Sequence, residues 1–226
     1  MRSRKPGRLS DIAAAACAVF TRQGFRLTQM SDVAWQAGIS AGALYSYVDG
    51  KEALFELALD HALGSSWSED ARFQAKGLAQ RLPGLGERLA TEVAWPALRA
   101  ASEQPGIDET ACRAVFAELH ELVGRHRQLI WLLDRCSGEF PELAGLYETI
   151  VRGRYIAELT RFTARAPALA NASDEHVRAT ARALMEMTVW MGMHRLRDRQ
   201  PPDIDDAAAA SAAIDIALHR LVPGRA

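Results

Sequence analysis

Thr28-Gln29-Met30-Ser31-Asp32-Val33-Ala34-Trp35-Gln36-Ala37-Gly38-Ile39-Ser40-Ala41-Gly42-Ala43-Leu44-Tyr45-Ser46-Tyr47 is the stretch that decides how this chain is read. Thr28 suits the N-cap of a short helix running to Ala37, because its hydroxyl can accept a bond from the orphan amides of a first turn. Gly38-Ile39 makes a tight turn, and Ser40 caps a second short helix that ends near Tyr47. Two short helices around a glycine-containing turn are the layout of a helix-turn-helix, whose second helix enters the major groove while the first braces it. Within that second helix Gly42 has no side chain and permits close approach. Ala41 and Ala43 suit base edges or thymine methyl groups. Leu44 is a core position, and Tyr45 and Tyr47 bring two phenols to a helix too short to bury both.

Outward from this stretch, Ile12, Ala16, Val19 and Phe20 fall at i, i+4, i+7 and i+8 of a helix over residues 8–23, stopped by Gly24. Asp49 and Glu52 have the spacing of a capping box that opens a further helix from Lys51. Charge divides in the same place. Residues 1–51 carry Arg2, Arg4, Lys5, Arg8, Arg22, Arg26 and Lys51 against Asp11, Asp32 and Asp49, a net +4, while the rest of the chain is −5. A basic head on an acidic body suits a protein that touches a polyanion at one end only. Arg2, Arg4, Lys5 and Arg8 either reach an adjacent groove or phosphate or remain a solvated tail.

Beyond the head the 3.6-residue period continues and no segment alternates as a strand does. The fold class is all-α. Breaks at Pro83-Gly84, Pro105-Gly106, Ser137-Gly138 and Pro201-Pro202 separate helices near 87–104 (kinked at Pro96), 108–123, 125–136, 141–166, 174–199 and 204–221. With 49% apolar and 24% charged residues the 226-residue chain can bury a real core. It lacks the run of about 18 uncharged apolar residues that a membrane span requires. The basic N-terminus has the charge of a secretory leader, but Asp11, Thr21 and Arg22 interrupt the apolar residues after it, so a cytoplasmic protein without membrane partners is expected. Cys17, Cys112 and Cys136 are odd in number and far apart, which reads as buried free thiols.

Several patterns resemble catalytic motifs and fail on context. Gly38-Ile39-Ser40-Ala41-Gly42 spells a nucleophile elbow, but a helix precedes it where a strand is needed. His120-Glu121 is followed at the fifth position by Gly124; His126 lies six residues on, about 240° around a helix, so the two imidazoles cannot share a metal. Asn171-Ala172-Ser173 better serves to place Ser173 or Asp174 at a helix start than as a glycosylation sequon. Asp205-Asp206 sits where carboxylates oppose a helix dipole. Neither enzyme activity nor a metal or other cofactor is expected.

Ile12-Ala13-Ala14-Ala15, Phe20, Gly24, Thr28, Val33-Ala34, Ala37-Gly38-Ile39-Ser40, Gly42, Leu44-Tyr45, Tyr47-Val48 and Lys51-Glu52-Ala53-Leu54 together resemble the head of the TetR/AcrR family of bacterial regulators. The match covers residues 8–60; Val48, where the family usually has Phe, is the main departure and falls on a core contact. The resemblance implies a three-helix DNA-binding head over 1–52 and a larger effector-binding and dimerisation domain over 53–226. It implies a DNA-facing set of Thr28, Gln29, Ser40, Ala41, Gly42, Ala43, Tyr45, Ser46, Tyr47 and Lys51. Among these Thr28, the two tyrosines and Lys51 with its helix N-terminus would bind phosphate, the last in keeping with the anion affinity of helix N-termini.

For the body, the resemblance implies a homodimer built from the last two helices, with Ala181, Thr188, Gly192, Ser211, Ile214 and Leu218 on the seam. The same stripes can instead pack inside one chain. It also implies a pocket for an apolar or aromatic small molecule, with Trp95, Phe116, His120, Trp131, Tyr147, Tyr155, Met185 and Trp190 as candidates, residues that equally suit an ordinary core. The expected function is a transcriptional regulator that binds double-stranded operator DNA, a repressor released by its effector. The alternatives are an activator, or a helical small-molecule-binding protein that no longer reads DNA.

Overall fold

The computed structural model describes residues 7–68, 72–199 and 203–222. Arg2, Arg4, Lys5 and the Pro201-Pro202 break lie outside them. The described chain forms helices α1 (Arg8–Gln23), α2 (Met30–Gln36), α3 (Ala41–Leu44), α4 (Gly50–Ala62), α5 (Leu78–Glu92), α6 (Pro96–Ser102), α7 (Glu109–Arg125), α8 (Arg127–Cys136), α9 (Pro141–Tyr147), α10 (Gly153–Thr163), α11 (Asp174–Gly192) and α12 (Asp206–Leu221). An all-α fold results; the only β feature among the described residues is one isolated bridge between Val48 and Phe73. The helix stops and starts obey local chemistry. Gly24 ends α1 at φ +84°, a conformation other residues avoid. Ser173 accepts a bond from His176 N–H, and Asp205 one from Ala208 N–H, at the starts of α11 and α12.

Two compact units divide the chain. Unit 1 holds residues up to Arg88 together with His126–Tyr147, and unit 2 holds Leu89–Arg125 with the chain from Glu148 onward. In unit 1, α1 packs on α2, α4 and α8. Ile12, Ala16, Val19 and Phe20 are all fully buried there, as their spacing requires. Every residue from Ala53 to Leu59 of α4 is buried, the mark of a helix covered on all sides. The rings of Phe20, Phe25, Phe55 and Phe140 form one cluster, with centroids 4.8–5.8 Å apart. Phe20 and Phe55 are buried and each contributes about 1.5–3 kcal/mol by leaving water, while Phe25 and Phe140 are half-buried. Cys17 in α1 and Cys136 in α8 are buried thiols; burial pushes Cys136 up to about 12.

Unit 2 is built on the mutual packing of α7, α11 and α12, with α10 against α11 and α6 against α7 and α10. Trp95 Nε1 donates to Val115 O at 3.1 Å, and Tyr155 Oη donates to Val93 O, so both large polar rings are satisfied in the core. Arg195 is buried and donates to Met191 O, Ile204 O and the Asp206 carboxylate, tying the turn after α11 to the start of α12. Burial also pushes the Cys112 thiol of α7 up to about 12.

Several expectations change. Pro83 stands in the second turn of α5, where it removes one backbone hydrogen bond without ending the helix. Pro96 begins α6 instead of kinking a longer helix, a position where its missing N–H costs nothing. The α11 and α12 stripes expected to form a dimer seam face inward. Ala181, Thr188, Gly192, Ile214 and Leu218 are buried within unit 2, and Ser211 alone of the six is exposed. The reason is that an apolar stripe at 3- and 4-residue spacing serves a neighbour in the same chain as well as one in another. Here α7 takes that place.

Candidate nucleic-acid interface

Ser40 caps α3 as its side-chain oxygen accepts Ala43 N–H at 3.1 Å, and Ser46 Oγ donates back to Ala43 O at 2.7 Å. Two hydroxyls thus pin a helix of four residues, which continues as turns through Tyr47. Leu44 and Val48 anchor it, both fully buried, so the Phe-to-Val departure does fall on a core contact. The opposite side is open. Ser40, Ala41, Gly42 and Ser46 are exposed, Tyr45 is 48% exposed, and Ala43 and Tyr47 are half-buried. A methyl group placed on Gly42 would meet nothing within 4 Å. This side of unit 1 can lie against a partner at the distance of backbone contact.

Two expectations about the frame of this surface fail. The N-cap of α2 is Gln29, not Thr28. Asp32 accepts Gln29 N–H at 2.9 Å, while Thr28 is 1% exposed and its hydroxyl donates to Gly24 O at 2.7 Å. With its proton committed inward, Thr28 braces the loop after α1 and does not suit a phosphate contact through that hydroxyl. Asp49 stands at the N-cap of α4, but its side chain makes no capping bond; the carboxylate pairs with Arg72 at 3.0 Å, and the expected box with Glu52 is absent.

Lys51 stays at the start of α4. Its Nζ donates to Arg26 O at 3.0 Å and lies 4.6 Å from the centre of the Phe25 ring, which leaves further ammonium protons for an anion. The Phe25–Arg26 loop is itself held from behind. Arg26 N–H donates to Glu139 Oε2 at 2.6 Å, and Arg135 Nη2 donates to Gln23 O at 3.1 Å. These supports come from more than a hundred residues along the chain, beyond the reach of local spacing. Trp35, 79% exposed on α2, and Leu27, 64% exposed, flank the same region and were missed by sequence reasoning. Their signal was available: Trp35 falls off the Val33-Ala34 side that α2 buries.

The eight effector candidates divide. Trp95, Phe116, His120, Tyr155 and Met185 are buried in unit 2, where the Trp95 and Tyr155 rings lie 5.2 Å apart. Trp131 and Tyr147 belong to unit 1, and Trp190 is 40% exposed on α11. His120 Nε2 is buried without a hydrogen-bond partner, and burial together with the nearby Arg195 holds its pKa below the usual histidine value. A cavity of about 940 Å³ in unit 1 is lined by other residues, among them Glu56, Asp60, Trp67, Phe73, Arg81 and Arg88.

Known proteins converge on the head. Residues 12–58 match the model of bacterial regulatory proteins of the tetR family. The HTH-type transcriptional repressor KstR2 of Rhodococcus jostii is 33% identical over 79 residues, 35% of this chain and 39% of that protein. An HTH-type transcriptional regulator of Bacillus subtilis, YfiR, is 39% identical over 59 residues, 26% of this chain and 29% of that one. The matched stretches therefore span well under half of either relative. Two solved structures share the fold across nearly the whole chain. A TetR-like transcriptional regulator from a Rhodococcus species has a TM-score of 0.51 at 21% identity, covering 99% of this chain and 100% of its own. A TetR-family member from Streptomyces coelicolor has 0.53 at 17%, covering 100% and 94%. Residues 12–58 thus carry the sequence pattern of the tetR family of bacterial regulatory proteins, and the chain as a whole shares the fold of the two solved regulators.

Proposed function

We propose that the protein is a DNA-binding transcriptional regulator, a repressor whose head, residues 1–52, reads operator DNA. The body, residues 53–226, dimerises and takes a small apolar or aromatic effector. The observation that carries this reading is the open side of α3: exposed Ala41 and Gly42 with room for close approach, flanked by Tyr45 and Tyr47 and by Lys51 at the start of α4. Alanine and glycine against base edges, with phenols and an ammonium on phosphates, make a short recognition helix in a major groove. Residues Gln29, Ser40, Ala43 and Ser46 complete the proposed contact surface, and exposed Trp35 extends it along α2.

One such helix reads few base pairs, so two copies on one face of the duplex are required for specificity. The proposed dimer face is the outward side of the last two helices, where Trp190 and Ile216 are exposed at 40% and 51%, since the inward stripes are already occupied. Effector binding would favour a spacing of the two heads that does not fit successive major grooves. A regulator of this kind works in the cytoplasm; among the described residues no helix is long and apolar enough to cross a membrane.

The test is fluorescence anisotropy on a labelled duplex from upstream of the protein's own gene and on a scrambled duplex of the same composition. Preference for the first, with affinity falling about 10³–10⁵-fold between 50 and 200 mM salt for six to ten phosphate contacts, is the expected outcome. Equal, salt-insensitive or absent binding overturns the reading.

A further inference from the structure

After α4 leaves the head, residues 72–77 return to it. Phe73 N–H donates to Tyr47 O at 2.8 Å, and Asp49 N–H donates to Phe73 O at 3.0 Å, the isolated parallel bridge of the fold. Arg72 donates Nε and Nη2 to Val48 O, each at 3.3 Å, and Nη2 to Asp49 Oδ1 at 3.0 Å. The far end of this strap is fixed on a buried charge. Glu56 is 2% exposed and accepts Lys76 N–H at 2.9 Å and Gly77 N–H at 2.8 Å, with Arg81 Nη1 3.3 Å away. A carboxylate taken out of water requires such partners, so the strap's position is set firmly by Glu56.

What the strap holds is the turn between α3 and α4, the one that joins Tyr45 and Tyr47 to Lys51. That turn has an electrostatic defect. Asp49 places an exposed carboxylate two residues before Lys51, at the positive end of α4, where it repels any phosphate that Lys51 attracts. It is Arg72 that answers the charge, and the same guanidinium ties down the Val48 carbonyl.

We infer that Arg72 is a positioning residue for phosphate binding: carried back by the 72–77 strap, it cancels Asp49 and fixes the turn that presents Tyr47 and Lys51 to DNA. The inference rests on the DNA-binding function proposed for the head. It adds a contribution from outside the helix-turn-helix. The charge acts within a Debye length, about 8 Å at physiological ionic strength, so its effect must fade as salt rises.

The experiment is a double-mutant cycle of Arg72→Ala and Asp49→Asn, with Arg72→Lys as the charge-preserving variant, titrated against the upstream and scrambled duplexes from low to high salt. At low salt Arg72→Ala binds both duplexes about three- to tenfold more weakly, because one uncompensated negative charge now faces phosphate. Asp49→Asn binds more tightly than the unmodified protein, Arg72→Lys retains most of the affinity, and the double variant returns to within about twofold of the unmodified protein. All differences shrink at high salt. Hydrogen exchange at the Asp49 amide, monitored without DNA, reports whether the strap remains seated in each variant. If Arg72→Ala matches the unmodified protein across the salt series, or the double variant stays as weak as Arg72→Ala, the inference is overturned while the DNA-binding function stands. If the unmodified protein binds neither duplex, that function falls and the inference with it.

Discussion

Gly42 and Gly192 occupy helices in different units and are small for opposite reasons. A methyl group on Gly42 meets nothing within 4 Å, whereas one on Gly192 meets Val123 Cγ2 at 2.4 Å and His120 O at 3.3 Å. Gly192 is already in use: its missing side chain is the space into which α7 fits against α11. The emptiness at Gly42 is unused by the chain itself and faces outward beside Tyr45. Nothing inside the protein requires a glycine there, so the space is free for the close approach proposed for α3. Internal packing accounts for Gly192, and the DNA contact proposed for α3 would account for Gly42.

The sharpest way to break this contrast is to add the methyl group at both places. Gly192→Ala should lower stability by about 1–3 kcal/mol through overpacking, read as a lower midpoint in urea at unchanged slope. Gly42→Ala should leave that midpoint unchanged or slightly raised while weakening operator binding by about tenfold or more, equivalent to 1.4 kcal/mol. Reversed results would show that α3 is internally constrained and α11 is not. Tyr45→Phe sharpens the comparison at lower amplitude. Loss of one phosphate bond should weaken binding to upstream and scrambled DNA alike, by about 1 kcal/mol in anisotropy titrations, with no change in melting.

A smaller effect comes from the wall of the Gly192 contact. Burial lowers the pKa of His120, so the folded chain resists its protonation more than the unfolded chain, whose histidine titrates near 6.5. Unfolding then takes up a proton, and stability should fall as pH drops from about 7.5 through 6.5 and level off below the depressed folded value. His61, also lowered by burial, adds to the slope from unit 1. His120→Gln should flatten the pH dependence of the urea midpoint by its own share, and an unchanged slope would mean that His120 does not titrate on unfolding.

The head was readable because its determinants are local. Ser40 bonds three residues ahead, the stripe from Ile12 to Phe20 fills one face, and Leu44 and Val48 sit where their neighbours put them. Local rules also misled there: Thr28 and Gln29 are both polar residues before α2, and only the Gly24 carbonyl, reached from Thr28, decides which one caps it. What was illegible is the long-range part. Nothing about Arg72, Glu56 or Glu139 in isolation says that they bond to Val48, to the Lys76 amide or to the Arg26 amide. In the body the period of the stripes was right and their destination was not, since an inward and an outward seam carry the same spacing. Pro83 shows the limit of punctuation, a breaker that α5 absorbs at the loss of one bond.

The three sequestered cysteines give the chain built-in timers. Cys17 and Cys136 lie in unit 1 and Cys112 in unit 2, each no more than 4% exposed, so a thiol-alkylating reagent reaches them only through transient openings. Mass spectrometry of the alkylated peptides would then clock the two units separately in one unlabelled sample, with and without DNA.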